Sequence, residues 1–327
     1  MRRRELIFGL ASATTAWPLA ARAQRPAVPV VGFLSAGSPG LSSVPGLTAF
    51  RVGLSDAGYV DGQNVAIEFR GAEEHYDRLP GLAADLVGRQ VAVIVAANLV
   101  PALAAKAATA TIPIVFWSGA DPVEQGLVPS LARPGGNLTG FALINSELGA
   151  KRLELLRQLV PNATGFALLV NPANPNAEPQ ARDAQEAASA QGVGMQILAA
   201  ATKDEIEAAF AALARQRIDA LVVSSDRFLF GRHDRLVALA AQHAVPAIYT
   251  VRDYATAGGL ISYASSTAGS FQLLGGYTAR ILKGEKPADL PVTQPTTFEL
   301  VINLTTAKAL GLTEPQLLLA QADETIE

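Results

Sequence analysis

Side chains able to do covalent or metal chemistry are sparse in this sequence. There is no cysteine, which excludes a thiolate nucleophile, a disulfide, a thiolate metal site and a lipid anchor on a thiol. The only histidines are His75, His233 and His243. His233 and His243 share one helical stretch at a spacing unsuited to a metal, and His243 falls on its apolar face. No G-x-x-x-x-G-K-[ST] loop, G-x-S-x-G elbow or H-E-x-x-H pair occurs. The nearest approach to a dinucleotide turn, Ala36-Gly37-Ser38-Pro39-Gly40, lacks its first glycine, and Ser38 has no base assigned to it. Gly135-Gly136-Asn137 reads as a turn before a strand. What remains are amides, hydroxyls and carboxylates in loops that follow apolar runs. Such groups donate and accept hydrogen bonds but break few bonds, so the pattern points to recognition of a small molecule with no cofactor.

Those loops are positioned by alternating strands and helices, and the alternation occurs twice. In the first half, Pro29–Leu34, Val65–Phe69, Val91–Ala96 and Ile112–Trp117 read as strands. Helices are expected over Gly46–Gly58, from Leu79 onward, and over Pro101–Thr109, with proline at the start of the last. The second half repeats the scheme. Strands fall at Gly165–Val170, Met195–Leu198, Ala220–Ser224 and Val245–Tyr249. The helix after Thr202-Lys203-Asp204-Glu205 opens with a capping box and carries the stripe Ile206, Ala209, Phe210 and Leu213. Continuous apolar strands such as VAVIVA are expected where helices cover both faces of a parallel sheet. The expected fold class is therefore α/β, with two doubly wound parallel-sheet lobes. The pieces after Gly258 are too few for a core of their own and must complete these lobes. The chain therefore crosses between lobes more than once, with candidate crossings near Thr139-Gly140, Ala264-Ser265 and Pro295–Thr297. The lobes then comprise residues 27–140 plus 266–294 and residues 141–265 plus 295–327.

The chain has 327 residues and a net charge of −3, with 50% hydrophobic and 17% charged residues. It can bury substantial cores, and it lacks the basic excess that nucleic-acid binding requires. Residues 1–23 read as a cleaved signal peptide: a positive start (Arg2-Arg3-Arg4), an apolar stretch from Leu6 to Leu19, and Ala21-Arg22-Ala23. Arg3-Arg4 also fits a twin-arginine signal, so both export routes stay open. No later run is long enough to span a membrane. A periplasmic location is expected.

Ligands of open parallel sheets bind beyond the carboxyl ends of the strands. Here those ends carry Ser35–Ser38, Ala97-Asn98-Leu99, Ser118–Asp121, Asn171–Asn174, Ser225-Asp226-Arg227 and Val251-Arg252-Asp253. Trp117, Phe228 and Phe230 suit either an apolar pocket or lobe packing. Arg252 suits either a ligand carboxylate or an exposed hinge.

Several motifs carry a family resemblance. They are Ala49-Phe50-Arg51-x-Gly53-Leu54 with Gly58-Tyr59-Val60-x-Gly62-Gln63-Asn64, and Tyr76-Asp77-Arg78-Leu79-Pro80. Asp121-Pro122-Val123, Arg133-Pro134-Gly135-Gly136-Asn137-x-Thr139-Gly140, Ile281–Pro287 and Phe298–Asn303 continue them. Together they resemble the tryptophan/tyrosine-type substrate-binding proteins of ABC transporters. The resemblance implies a periplasmic-binding-protein type 1 (Venus-flytrap) fold with three hinge crossovers, and a monomer that delivers an amino acid or an aromatic or carboxylate compound to ABC permease subunits of the inner membrane. Carried over by position, its ligand loops fall on Ser35, Gly37, Ser38, Asn98, Asp121, Asn171, Asn174, Asn176, Asp226 and the crossing from Tyr263 to Ser265. Asp226 or Asp121 is expected to hold a ligand ammonium or hydroxyl, and helix-start amides a carboxylate. A ligand sensor and a secreted α/β hydrolase remain as alternatives.

Overall fold

A computed structural model of the chain describes residues 28–38, 44–143, 145–216, 218–313 and 316–327. The expected signal peptide, residues 1–23, lies outside them. Among the described residues no helix is long and apolar enough to cross a membrane.

The first lobe runs β1 (Val30–Ser35), α1 (Val44–Asp56), β2 (Ala66–Gly71), α2 (Leu79–Gly88), β3 (Val93–Ala96), α3 (Leu99–Ala108), β4 (Ile114–Ser118) and β5 (Leu138–Ala142). A short 3-10 turn, Tyr76–Arg78, leads into α2. The sheet is parallel throughout, in the order β2-β1-β3-β4-β5. Strand alternation divides its residues between two cores. Ile94, Ala96, Ile114 and Phe116 face α2 and α3, while Val93, Val95 and Val115 face the opposite layer with Phe33 and Phe50. Every one of these is buried.

The second lobe begins with α4 (Asn145–Leu159) and β6 (Gly165–Val170), then α5 (Ala177–Ala190), β7 (Gly194–Ala199), α6 (Lys203–Gln216) and β8 (Ala220–Val223). It continues through α7 (Arg227–Phe230), α8 (His233–Gln242), β9 (Ala247–Tyr249), α9 (Arg252–Thr256) and β10 (Ile261–Ala264). The capping box of α6 is formed: the Glu205 amide donates to Thr202 Oγ1 at 3.2 Å, and the Thr202 amide to Glu205 Oε2 at 3.1 Å. Then α10 (Thr267–Leu282) returns to the first lobe, packing on α1 and on β3, β4 and β5. The chain crosses back to β11 (Glu299–Asn303), α11 (Leu304–Ala309), α12 (Gln316–Leu319) and β12 (Glu324–Ile326). The second sheet has the order β12-β11-β10-β9-β8-β6-β7, with only β10 and β11 antiparallel. The α/β class and the two doubly wound lobes are as the sequence led us to expect.

One crossing lies elsewhere. Thr139 and Gly140 do not leave the first lobe; they sit inside β5, paired with Val115 and Phe116 of β4. The chain leaves after Ala142, so Phe141 and Ala142 belong to the first sheet. LTGFA hides as a strand because Thr139-Gly140 interrupts its apolar run, and the ladder to β4 supplies what local sequence does not. The second and third crossings run from Ala264 to Thr267 and from Thr293 to Glu299. Thr293 bridges Phe141, and the Thr293 amide donates to Gly140 O at 2.9 Å, so outgoing and returning chains lie side by side. Arg152 of α4 is buried, and its Nε donates to the Tyr263 carbonyl at 2.9 Å at the end of β10. Burial pulls that guanidinium down to about 10.

The clasp between α1 and α10 depends on two glycines. A Cβ on Gly53 would lie 1.9 Å from the Gln272 carbonyl oxygen, and one on Gly275 would lie 2.3 Å from that of Phe50. Backbone cannot yield as a side-chain tip can. Gly53→Ala and Gly275→Ala should each lower stability by about 1–3 kcal/mol through overpacking. Urea unfolding of each variant checks this, and midpoints equal to that of the native chain would contradict it.

Candidate functional site: an interlobe ligand cleft

The carboxyl ends of both sheets face one another across a cleft of about 290 Å³. The first lobe contributes an aromatic wall of Phe33, Trp117 and Phe271. Trp117 and Phe271 stack at 6.4 Å, and Phe33 and Phe271 at 6.2 Å. Phe271 comes from α10, so this wall exists only because the chain returns to the first lobe. The second lobe contributes amides and charges: Asn174, Asn176, Ser225, Asp226 and Arg227, with Phe230 beside them. The crossings supply Ala264–Ala268 and Glu299 at the back.

Asp226 organises the second lobe's face. It follows β8 and caps α7, its Oδ1 accepting from the Leu229 amide at 2.9 Å. Asn171 Nδ2 donates to both carboxylate oxygens at 3.2 Å, and Asn174 Nδ2 to Oδ2 at 2.9 Å. Each asparagine splits its amide. The Asn171 Oδ1 accepts from the Ala173 amide at 3.0 Å, and the Asn174 Oδ1 from the Asn176 amide at 2.9 Å. The loop after β6 is thereby folded by the same side chains that hold Asp226. The fourth donor crosses the cleft: Tyr76 Oη donates to Asp226 Oδ2 at 2.8 Å. Burial, and then the neighbouring Asp226 charge, push the Tyr76 phenol well above its ordinary range, so it stays protonated and able to donate.

Further contacts join the lobes near this bond. Arg232 Nη1 lies 3.4 Å from Glu74 Oε2, and its guanidinium sits 3.8 Å from the Phe228 ring centroid. Glu73 and Glu74 have φ of 55° and 65°, so this loop holds two residues in the left-handed region to reach across. Arg182 of α5 pairs with Glu124 at 3.2 Å on the exposed rim, where it adds little. Gly37 lies under Arg227: a Cβ there would be 2.4 Å from the Arg227 Nε. The Arg227 guanidinium is 5.1 Å from the Phe230 ring centroid, and burial lowers its pKa.

Six of the eleven residues placed in ligand loops or at the hinge border the cleft, Ser35, Asn98, Asn174, Asn176, Asp226 and Arg252, and so do the aromatic candidates Trp117 and Phe230. Arg252 reaches only the rim, with Nε and Nη2 on the Glu324 carboxylate at 2.9 and 2.5 Å. The other five do not border it. Asn171 stands behind Asp226, and Gly37 supports Arg227, while Ser38 is half-buried at the end of its described stretch. Asp121 is turned into its own loop, accepting from the Val123 amide at 2.7 Å. Tyr263 stacks on Phe298 at 5.8 Å. Sequence reading passed over Tyr76, Phe33, Phe271, Thr250 and the Ser266–Ala268 segment. Tyr76 follows no strand directly, and Phe271 belongs to a helix whose packing is set by a crossing. Among the described residues no group of His, Asp and Glu could hold a metal ion.

Comparison with known proteins agrees with this geometry. The chain is 29% identical over 263 residues to a tyrosine-binding protein of Clostridioides difficile (strain R20291), covering 80% of this chain and 75% of that one. A Streptococcus pneumonia ABC domain solved in complex with L-Trp superposes with a TM-score of 0.84 at 26% identity, covering 91% of this chain and 99% of that one. The ligand-free, open structure of a substrate-binding protein with adhesive properties from Clostridium difficile gives a TM-score of 0.67 at 25% identity, covering 92% and 99%. At nearly equal identity, this chain with its joined lobes superposes less fully on the open form. More distant structures share the fold alone, and that fold is the type 1 periplasmic-binding-protein architecture. The profile of the ABC transporter substrate binding protein family matches residues 35–326, and the chain belongs to that family.

Proposed function

We propose that this protein captures a small organic solute, an amino acid or an aromatic or carboxylate compound, between its lobes and delivers it unchanged to ABC permease subunits of the inner membrane. It acts as a monomer in the periplasm after export by a cleaved signal peptide. One observation supports this reading above the rest: an aromatic wall on one lobe faces an amide-lined wall on the other, and a hydrogen bond spans the cleft between them. Such a cleft grips a flat apolar body from one side and polar groups from the other. The tyrosine-binding relative and the structure solved with L-Trp support a ligand with an aromatic ring. A solute touching both lobes favours the closed form by its differential affinity for it.

Within this reading the Tyr76–Asp226 bond is a latch. A neutral donor on a carboxylate is worth about 1.5–3 kcal/mol, and the bond exists only while the lobes are together. Tyr76→Phe should therefore weaken solute affinity by about ten- to a hundredfold, with the melting temperature of the unliganded protein nearly unchanged. Titration calorimetry and thermal unfolding measure the two quantities, and an unaltered Kd would remove the latch. A thermal-shift screen of amino acids, aromatic acids and small carboxylates tests the capture itself. A ligand at a hundred times its Kd should add about 2.7 kcal/mol of stability. A response to none of these classes would refute the solute assignment.

A further inference from the structure

Resting on the capture reading above, we propose that Asn98 and Trp117 form a hydrogen-bonding subsite in the first lobe that reads a hydroxyl on the solute's ring. The aromatic wall is not wholly apolar. Trp117 Nε1 and Asn98 Oδ1 are both buried, both belong to residues lining the cleft, and neither has a hydrogen-bond partner among the described residues. Leaving a buried polar atom unpaired is costly, and such atoms are rare in folded proteins. Here a donor and an acceptor are left so at neighbouring strand ends. Ala96 of β3 pairs with Phe116 of β4, so Trp117 is the next residue on one strand and Asn98 the second on the other.

Asn98 also forgoes its ordinary local duty. It is the N-cap of α3, where an asparagine oxygen usually accepts from a first-turn amide, yet its side chain makes no such bond. Asp226, Ser266 and Asn303 do cap their helices, Asn303 accepting from the Thr306 amide at 2.9 Å. The hydroxyls at neighbouring strand ends are engaged in their own loops: Ser35 Oγ accepts from the Gly37 amide, and Ser118 Oγ from the Ala120 amide, each at 3.1 Å. An indole N–H only donates, and an amide oxygen only accepts. A carboxylate would satisfy the first alone and an ammonium the second alone. A hydroxyl accepts from the one and donates to the other. Trp117 stacks on Phe271 within the wall that takes the solute's ring, so the hydroxyl that meets its Nε1 sits on that ring's edge.

Titration calorimetry with two matched ligand series tests this. One series is L-phenylalanine with its meta-hydroxy, para-hydroxy and para-fluoro derivatives, and the other is the 3-arylpropionates with the same rings. A site built to hydrogen-bond a hydroxyl rejects the analogue lacking it, because its own polar groups stay unpaired. A hydroxylated member should therefore bind about tenfold tighter or more than the plain ring. The para-fluoro ring, which cannot donate, should bind like the plain one. In Trp117→Phe and in Asn98→Leu the preference should fall to about threefold or less, even where a variant weakens every ligand alike. Equal affinity for hydroxylated and plain rings in the native protein overturns the subsite while leaving solute capture intact. So does a preference that either variant retains in full, or a fluoro ring that matches the hydroxylated one. Binding by no compound of either series overturns the subsite together with the aromatic solute on which it rests.

Discussion

A buried carboxylate must be given as many hydrogen bonds as water would have given it, or it pays heavily in desolvation. Asp226 meets this constraint by drawing on both lobes. Its own lobe supplies Asn171, Asn174 and the Leu229 amide, and the facing lobe supplies Tyr76. With the lobes apart, the site vacated by Tyr76 would be filled by water. Closure is then coupled to the exchange of water for a phenol, a modest term that biases the equilibrium without locking it. That balance suits a protein that must hold a solute and later release it.

The remaining contacts follow from the same geometry. Glu74 and Arg232 approach across the cleft beside the latch, and the two left-handed residues Glu73 and Glu74 shape the loop that leads into Tyr76. Gly37 leaves room for Arg227 to lie against the first lobe. The division of labour between lobes is clear in residue type: rings on one side, amides and charges on the other. Only a molecule with an apolar face and a polar end satisfies both walls at once.

Much of this architecture was legible in the sequence because parallel strands covered on both faces read as unbroken apolar runs, and their carboxyl ends mark the cleft. Ser35, Asn98, Asn174 and Asp226 were reached by that rule, and Asn176 through the family resemblance. It gave less for elements that owe their place to distant partners. The strand β5 is hidden by Thr139-Gly140, and β12 is only Glu324–Ile326, held beside β11. Phe271 enters the wall through the α1–α10 clasp, which no local pattern announces. Polar residues at strand ends also have competing local duties. Asp121 folds its own loop, and Arg252 finds Glu324 from the far end of the chain. Tyr76 lay within a recognised motif, yet its role depends on a partner in the other lobe.

The central claim, that the Tyr76–Asp226 bond couples lobe closure to the burial of Asp226, can be measured as a distance. The chain has no cysteine, so Val123→Cys on one lobe and Glu178→Cys on the other, both exposed positions, would carry the only spin labels. Pulsed electron resonance then reports the interlobe separation. The account predicts a short-distance population in the unliganded protein that Tyr76→Phe depletes and that bound solute restores. Identical distance distributions with and without the Tyr76 hydroxyl would contradict it.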